Sequence, residues 1–270
     1  MEQLEHPLLI VDWVNALFEP LFGLFGIHAE PGHHLIPNYL VMTLLIVLGY
    51  LVLGLLMRSR LSVENPSKFQ IVLEDLVSAV AGLLDQWLGP KGRRFMPLVG
   101  ALGAYILAGN YLGLIPGFMA PTSNINVTLG CALTTWVYYH LQGIMAHGPI
   151  SYIKHFAGPP GSPVWMIPIM FPIEIISHFS RILSLSLRLF GNIFGEELVI
   201  MILASIVPFI IPLPMMALGL ITGGLQAFIF VLLSIIYLQG AVIVEHHDDA
   251  HGAHHESPGA HEGHPATAAA

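Results

Sequence analysis

Six polar side chains recur at helical spacing in an otherwise apolar stretch: Glu174, Ser177, Arg181, Ser184, Arg188 and Asn192. Their separations of 3, 4, 3, 4 and 4 residues put all six on one stripe of an α-helix, which repeats about every 3.6 residues. Glu174 and Arg188 then lie roughly 21 Å apart along the axis. Glu196 and Glu197 follow about two turns after Arg188. These two, with Glu174, Arg181 and Arg188, are the only Asp, Glu, Lys or Arg residues between Pro163 and Val244. A charge at mid-bilayer costs about 2.5–3.5 kcal/mol on insertion scales, so such residues face a cavity, a partner or an ion path.

A salt-bridge ladder that merely holds helices together would use opposite charges four residues apart. Here Arg181 stands seven residues from Glu174, and Arg188 eight from Glu196. Arg188 has no acid on its own face within one turn, so its counter-charge must come from elsewhere. Its guanidinium stays protonated in proteins and cannot pass a proton on. It can attract a carboxylate and make that carboxylate release its proton. A carboxylate moving past such a cation loses a proton on arrival and takes a new one on departure. If water reaches the two sides from opposite membrane faces, each passage carries one proton across, worth about 2.3 kcal/mol per 100 mV.

A second apolar run supplies Thr222, Gln226, Ser234, Tyr237 and Gln239. Gln226 falls within ~40° of both Thr222 and Tyr237 on a helical wheel. Gln226 either bonds toward Arg188 across the hairpin or serves as an ordinary interhelical contact; spacing leaves both open. Gly219, Gly223 and Gly224 permit close helix approach.

The elements that position these residues follow from composition. The chain has 270 residues, 55% hydrophobic and 10% charged, with a mean hydropathy of +0.74. Soluble domains are about 25% charged, so most of this surface does not face water. No run alternates apolar and polar residues over the ~10 positions of a membrane β-strand. An all-α polytopic membrane protein is expected, with about five membrane helices and additional surface helices. The first three spans are 39–57, 96–115 and 126–145, and none contains Asp, Glu, Lys or Arg. Residues 58–94 hold six of the nine basic residues, which by the positive-inside rule makes this loop cytoplasmic and the N-terminus external. Within it, Phe69 to Leu88 reads as a membrane-surface helix, and Asp12 to Phe25 as an interfacial one. Ile173 to Ile206 contains no proline and would span roughly 51 Å; Met215 to Val244 would span ~45 Å. Both exceed the ~30 Å hydrocarbon thickness, so a steeply inclined antiparallel hairpin is expected. Residues 245–270 hold seven of the fifteen histidines and little that could build a core; a solvated, disordered cytoplasmic tail is expected.

Several chemistries are excluded. The single cysteine, Cys131, forms no intrachain disulfide and no CxxC site, and reads as a small residue packed in an apolar helix. No HExxH or fixed zinc pattern occurs, and no cofactor, metal or nucleic-acid partner is expected. No phosphate-binding GxxxxGK[ST] occurs, so nucleotide chemistry belongs to partners. The first ten residues carry no Lys or Arg, unlike a cleavable signal peptide. A membrane hydrolase would have only His178 with Ser180 or Ser184 as a dyad, without GxSxG. A secondary ion or solute transporter is the main alternative; it would typically show internal repeats, and none is visible.

The segment Ser184-Leu-Ser-Leu-Arg188-Leu-Phe-Gly-Asn192, followed by Glu197-Leu, strongly resembles the signature of the a subunit of F-type ATP synthases. Leu225-Gln226-Ala-Phe-Ile-Phe230 and Tyr237-Leu resemble its second signature. Pro66-Ser-Lys-Phe-Gln70, Asn110-Tyr-Leu-Gly-Leu-Ile-Pro116 and Asn124-Ile-Asn126-Val-Thr128 fall in the family's order. The resemblance covers roughly residues 38–243. It implies a stator subunit that passes protons to and from the carboxylates of a rotating c-subunit ring, with peripheral-stalk b subunits as further partners and ATP chemistry elsewhere. Arg188 matches the essential arginine facing the ring. Glu174 and Ser177 match the cytoplasmic half-channel, and Asn192, Glu197 and Gln226 match positions near the opposite half-channel and the arginine. Glu196, Ser184, Arg181, Tyr237, Asn110 and Asn126 are weaker channel candidates. Stripe geometry favours Glu196 and the family match favours Glu197. Some members carry a histidine seven residues before the glutamine, where this chain has Gly219. The implied organisation is an N-terminal periplasmic or interfacial segment (1–37), a membrane-embedded channel domain (38–244) and the tail (245–270), in a bacterial inner membrane with the N-terminus outside and the C-terminus cytoplasmic.

Overall fold

A computed structural model of the chain describes residues 11–16, 35–62, 64–115, 117–156, 166–206 and 210–242. All regular structure among them is helical. In chain order the main helices are α1 (Asn38–Arg58), α2 (Lys68–Leu88), α3 (Met96–Gly113), α4 (Ile125–His147), α5 (Pro149–Phe156), α6 (Ile167–Ile206) and α7 (Pro212–Val242). Short 3₁₀ turns, Pro90–Phe95 and Pro121–Ser123, precede α3 and α4. Residues 11–16 are helical. The remainder of the interfacial helix expected up to Phe25, the stretch Gly158-Pro-Pro-Gly-Ser-Pro163, whose breaker residues read as a turn, and the tail at 245–270 lie outside the described residues.

Four described helices are long and apolar enough to cross a membrane: α1, the segment Pro90–Gly113 that contains α3, α6 and α7. About five were expected. The difference is α4, which has the length, with 23 residues, but carries Asn126, Thr128, Thr134, Thr135, His140, Gln142 and His147. Lacking formal charges did not make it apolar enough.

The two long helices start earlier than the sequence suggested, at Ile167 rather than Ile173 and at Pro212 rather than Met215. In sequence, proline reads as a breaker in both places. Yet Pro168, Pro212 and Pro214 fall in first turns, where backbone N–H groups have no intrahelical acceptor and a missing donor costs nothing. Pro172 lies inside α6, with its ring on the exposed side. Helices of 40 and 31 residues reach ~60 Å and ~46 Å, well beyond one hydrocarbon thickness.

α7 is the centre of the bundle and touches α2, α3, α4 and α6. Of the most apolar 18-residue window, 44% is buried in α7 but only 11% in α6, so α6 presents most of its surface outward. One core cluster joins Ile106, Cys131, Ala132, Ile182, Leu185, Leu189, Ala227 and Phe230. A second joins Leu84, Phe95, Val99, Tyr139, Val231, Ile235 and Leu238. Cys131 is buried there, as its apolar setting suggested. Lipid is as apolar as these side chains, so close packing and interhelical hydrogen bonds hold such helices together, not hydrophobic transfer. Tyr50 donates to the Ala104 carbonyl at 2.8 Å, and Thr43 and Tyr105 share a bond of 2.9 Å, tying α1 to α3.

α2 begins at Ser67, whose Oγ accepts the Gln70 N–H at 3.2 Å, an N-cap that satisfies one orphan donor. Arg93 donates to Asp85 at 2.7 and 2.9 Å from the following turn, and that bond holds the Asp85 carboxyl below its usual range. α4 ends on Gly148, at φ 80°, a left-handed conformation that glycine adopts without strain.

Candidate functional site

The polar stripe of α6 runs along the seam between its buried and exposed faces. Ile182, Leu185, Leu189 and Ile193 are buried on one side, while Ile176, Leu183 and Leu187 face out on the other. Along the seam, Glu174, Ser177 and Arg181 are half-buried, and Ser184, Arg188 and Asn192 are exposed.

Arg188 donates to Ser184 Oγ at 3.5 Å, a long bond one turn back on its own helix. Among the described residues no carboxylate lies within ion-pair distance of it. Gly191, one turn on, is exposed, and a side chain added there would meet open space. The guanidinium thus stands between small or polar neighbours on an outward face, with its charge uncompensated among the described residues.

Two polar clusters flank it. Toward the start of α6, Glu174 Oε1 lies 3.3 Å from His178 Nε2. His178 Nδ1 lies 2.9 Å from the Tyr139 hydroxyl of α4. His140 Nδ1 bonds the Tyr152 hydroxyl of α5 at 2.7 Å. Arg181 sits over the Tyr237 ring of α7, 5.4 Å from its centroid, and shares a shallow crevice with Tyr139 and Trp136. Glu174 is roughly 21 Å along the helix from Arg188.

The second cluster begins roughly 6 Å beyond Arg188 in the other direction, at Asn192, and reaches Glu196 at roughly 12 Å. Asn192 donates to Gln226 Oε1 at 2.8 Å. Thr222 donates to Glu196 Oε2 at 2.9 Å, and the other Glu196 oxygen occupies the space where Gly219 has no side chain. Glu197 accepts the Ala120 N–H at 2.8 Å, from the connection between α3 and α4. Buried Asn110 donates to the Gly223 carbonyl at 3.0 Å and accepts from Thr122 at 2.7 Å. Asn126 stands apart from both clusters, exposed in the first turn of α4.

Gln226 therefore meets Asn192, not Arg188, and the register explains why. Thr222 pairs with Glu196, Gln226 with Asn192, and Tyr237 with Arg181. Each step up α7 matches an equal step down α6, as in an antiparallel hairpin. That register sets Phe230 opposite position 188, and Phe230 is buried and apolar. Glu196 and Glu197, about 100° apart on one helix, face different neighbours: α7 for the first, the α3–α4 connection for the second.

Sequence reasoning did not assign Tyr139, His140, Tyr152 or Thr122. It noted His178 only as a dyad candidate, but the imidazole is engaged with Glu174 and Tyr139 while Ser180 lies on the exposed side. The available signals were the Glu174–His178 spacing of four and the Tyr-Tyr-His run at 138–140 in an uncharged span. Among the described residues no group of three or more His, Cys, Asp or Glu is placed to hold a metal ion.

The family model described as ATP synthase A chain matches residues 39–239. "ATP synthase subunit a" of Syntrophobacter fumaroxidans is 45% identical over 244 residues, covering 88% of this chain and 98% of the relative. "ATP synthase subunit a 1" of Pelobacter propionicus is 41% identical over 242 residues, covering 89% and 99%. "ATP synthase subunit a" of Citrifermentans bemidjiense is 42% identical over 238 residues, covering 88% and 97%. An all-helical membrane architecture, an arginine between two polar clusters and these likenesses agree: the chain belongs to the ATP synthase A chain family.

Proposed function

We propose that this chain is the stationary, proton-translocating subunit in the membrane sector of a rotary ATP synthase, and that Arg188 is the fixed charge past which the rotor's carboxylates move. The observation that carries this reading is the outward-facing guanidinium with no carboxylate partner among the described residues. A permanent cation in lipid demands a negative partner, and a ring of c subunits bearing membrane carboxylates supplies one that moves.

The mechanism follows from charge. A ring carboxylate enters from the lipid side protonated and neutral. Beside Arg188 its charged form is favoured, and it releases its proton. Leaving Arg188, it returns to a medium that disfavours charge and takes up a proton again. Release and uptake use different polar clusters, one toward each end of α6. Glu174 and Ser177, with Arg181 and Tyr237 beside them, line the cytoplasmic half-channel. Asn192, Gln226, Glu196 and Glu197, with Asn110 behind them, line the opposite one. Ser184 steadies the guanidinium, and Asn126 stands at the outer rim. In this scheme the two paths stay separate within the chain, so a proton crosses only by riding the ring, yielding about 2.3 kcal/mol per 100 mV.

The chain performs no catalysis by itself; nucleotide chemistry resides in partner subunits, and peripheral-stalk b subunits hold it still. It resides in a bacterial inner membrane, with the N-terminal segment (1–37) outside, the channel domain at 38–244, and the 245–270 tail in the cytoplasm. Affinity purification of the tagged chain from mildly solubilised membranes tests the assignment. A ring-forming proteolipid should co-purify in several copies per chain; recovery of the chain with no proteolipid would overturn it.

A further inference from the structure

Arg181 and Arg188 stand seven residues apart on α6, which puts two permanent cations on one stripe, roughly 10 Å from each other along the axis. Among the described residues neither has a carboxylate within ion-pair distance. Their surroundings differ. Arg188 is exposed, with only the long bond to Ser184 Oγ at 3.5 Å. Arg181 is half-buried, and its guanidinium lies over the Tyr237 ring of α7, 5.4 Å from the centroid. The Tyr139 ring of α4 packs against Tyr237 with 6.1 Å between centroids, and both rings line the crevice that Arg181 also lines. A cation over an aromatic face is held by the negative side of the ring's quadrupole, more strongly where water is excluded.

The register of the α6–α7 hairpin makes the contrast specific. Seven residues back along α7 from Tyr237 stands Phe230, the residue set opposite position 188. Phe230 is buried in the core, and among the described residues no ring lies under the Arg188 guanidinium. One arginine is turned inward onto an aromatic seat and the other outward. The difference matters because a guanidinium does not lose its charge by deprotonation. A second one facing the rotor would attract the same ring carboxylate, and favour its ionised form, two turns away from Arg188. Only geometry removes such a charge from competition.

We propose that Tyr237 is a positioning residue: its ring seats the Arg181 guanidinium inward, so that a passing carboxylate meets one uncompensated cation, Arg188, instead of two. This rests on the reading of Arg188 as the fixed charge that faces the rotor. Without the seat, Arg181 swings toward the rotor side of the stripe, holds a ring carboxylate ionised there and delays its return to the neutral form.

The test uses the intact ATP synthase in liposomes, with the rate of ATP-driven proton pumping as the readout. Tyr237→Leu removes the ring and keeps an apolar side chain. It should slow pumping about threefold to thirtyfold, the spread expected for one lost cation–π contact. Adding Arg181→Gln to Tyr237→Leu removes the released charge and should recover much of the lost rate. Adding Arg181→Lys, which keeps the charge, should not. A tyrosine that only fills space predicts no recovery with either. Unslowed pumping in Tyr237→Leu, no recovery on adding Arg181→Gln, or equal recovery on adding Arg181→Lys would overturn the proposal. If Tyr237→Leu does not assemble, Tyr237→Met, flexible and without a ring face, takes its place in the same comparison. Arg188→Ala separates the two layers. If it abolishes pumping while Arg181→Gln gives no recovery, only the role of Tyr237 fails. If Arg188→Ala keeps more than half of wild-type pumping, the reading of Arg188 fails as well.

Discussion

Replacing Gly219 by alanine puts a methyl group where the Glu196 carboxylate now lies. The added carbon would overlap Glu196 Oε1, stand 2.7 Å from its Cδ, and stand 2.8 Å from Leu114 Cδ2. All three atoms are the far ends of flexible side chains, so the helices need not move apart. Shifting the two side chains costs about 0.5–1.5 kcal/mol each. Losing the Thr222–Glu196 bond adds about 0.6 kcal/mol, and up to about 1.7, the range measured for interhelical hydrogen bonds in membranes. Against this, alanine for glycine inside a helix gains about 1 kcal/mol. The net is a destabilisation of about 1–3 kcal/mol, small enough for assembly to survive. The penalty should largely vanish once Glu196 is removed. In a Glu196→Ala background the overlap with the carboxylate and the lost bond are gone, the remaining shift of Leu114 offsets the gain of about 1 kcal/mol, and Gly219→Ala should be near neutral. Thermal unfolding of the four purified complexes gives the coupling energy directly. ATP-driven proton uptake should fall in the Gly219→Ala single variant, because the carboxylate has been moved. Equal effects of Gly219→Ala in both backgrounds would refute the claim that this glycine makes room for Glu196.

Asn110→Ala removes both bonds of a buried amide and strands the Thr122 hydroxyl; a loss of about 1–2 kcal/mol in the thermal stability of the complex is expected. Deleting residues 247–270 should leave proton-coupled ATP synthesis within experimental error of wild type in membrane vesicles; a severe loss would make the histidine-rich tail functional.

How far the sequence could be read depended on the range of the interaction. Six of the seven main helices follow from local patterning: apolar runs for α1, α3, α4, α6 and α7, an amphipathic run for α2; the short helix α5 was not expected. The length of the final hairpin was visible because it needs only counting. Its starts were misplaced because a proline breaks a helix interior but suits a first turn, and a sequence alone does not say where the first turn is. α4 reads as a fifth span in sequence because it is long and carries no Asp, Glu, Lys or Arg, although its amides, hydroxyls and histidines lower its apolarity. Arg188 was legible because cost and spacing both single it out. Its relation to Gln226 was not, because one register of the α6–α7 pair sets a glutamine against Asn192 and a phenylalanine against Arg188. The Tyr139–His178 bond joins residues 39 apart on two helices, and no local pattern encodes it. The choice between Glu196 and Glu197 turned on which neighbour each side of α6 meets, which is a property of packing.

The central claim is that an uncompensated, permanently charged guanidinium at position 188 couples proton flow to rotor movement. Proton pumping driven by ATP in liposomes containing the Arg188→Ala complex tests it most directly. Pumping and proton-coupled ATP synthesis should be abolished while subunit composition stays that of wild type; coupling retained above half of the wild-type level would contradict the account.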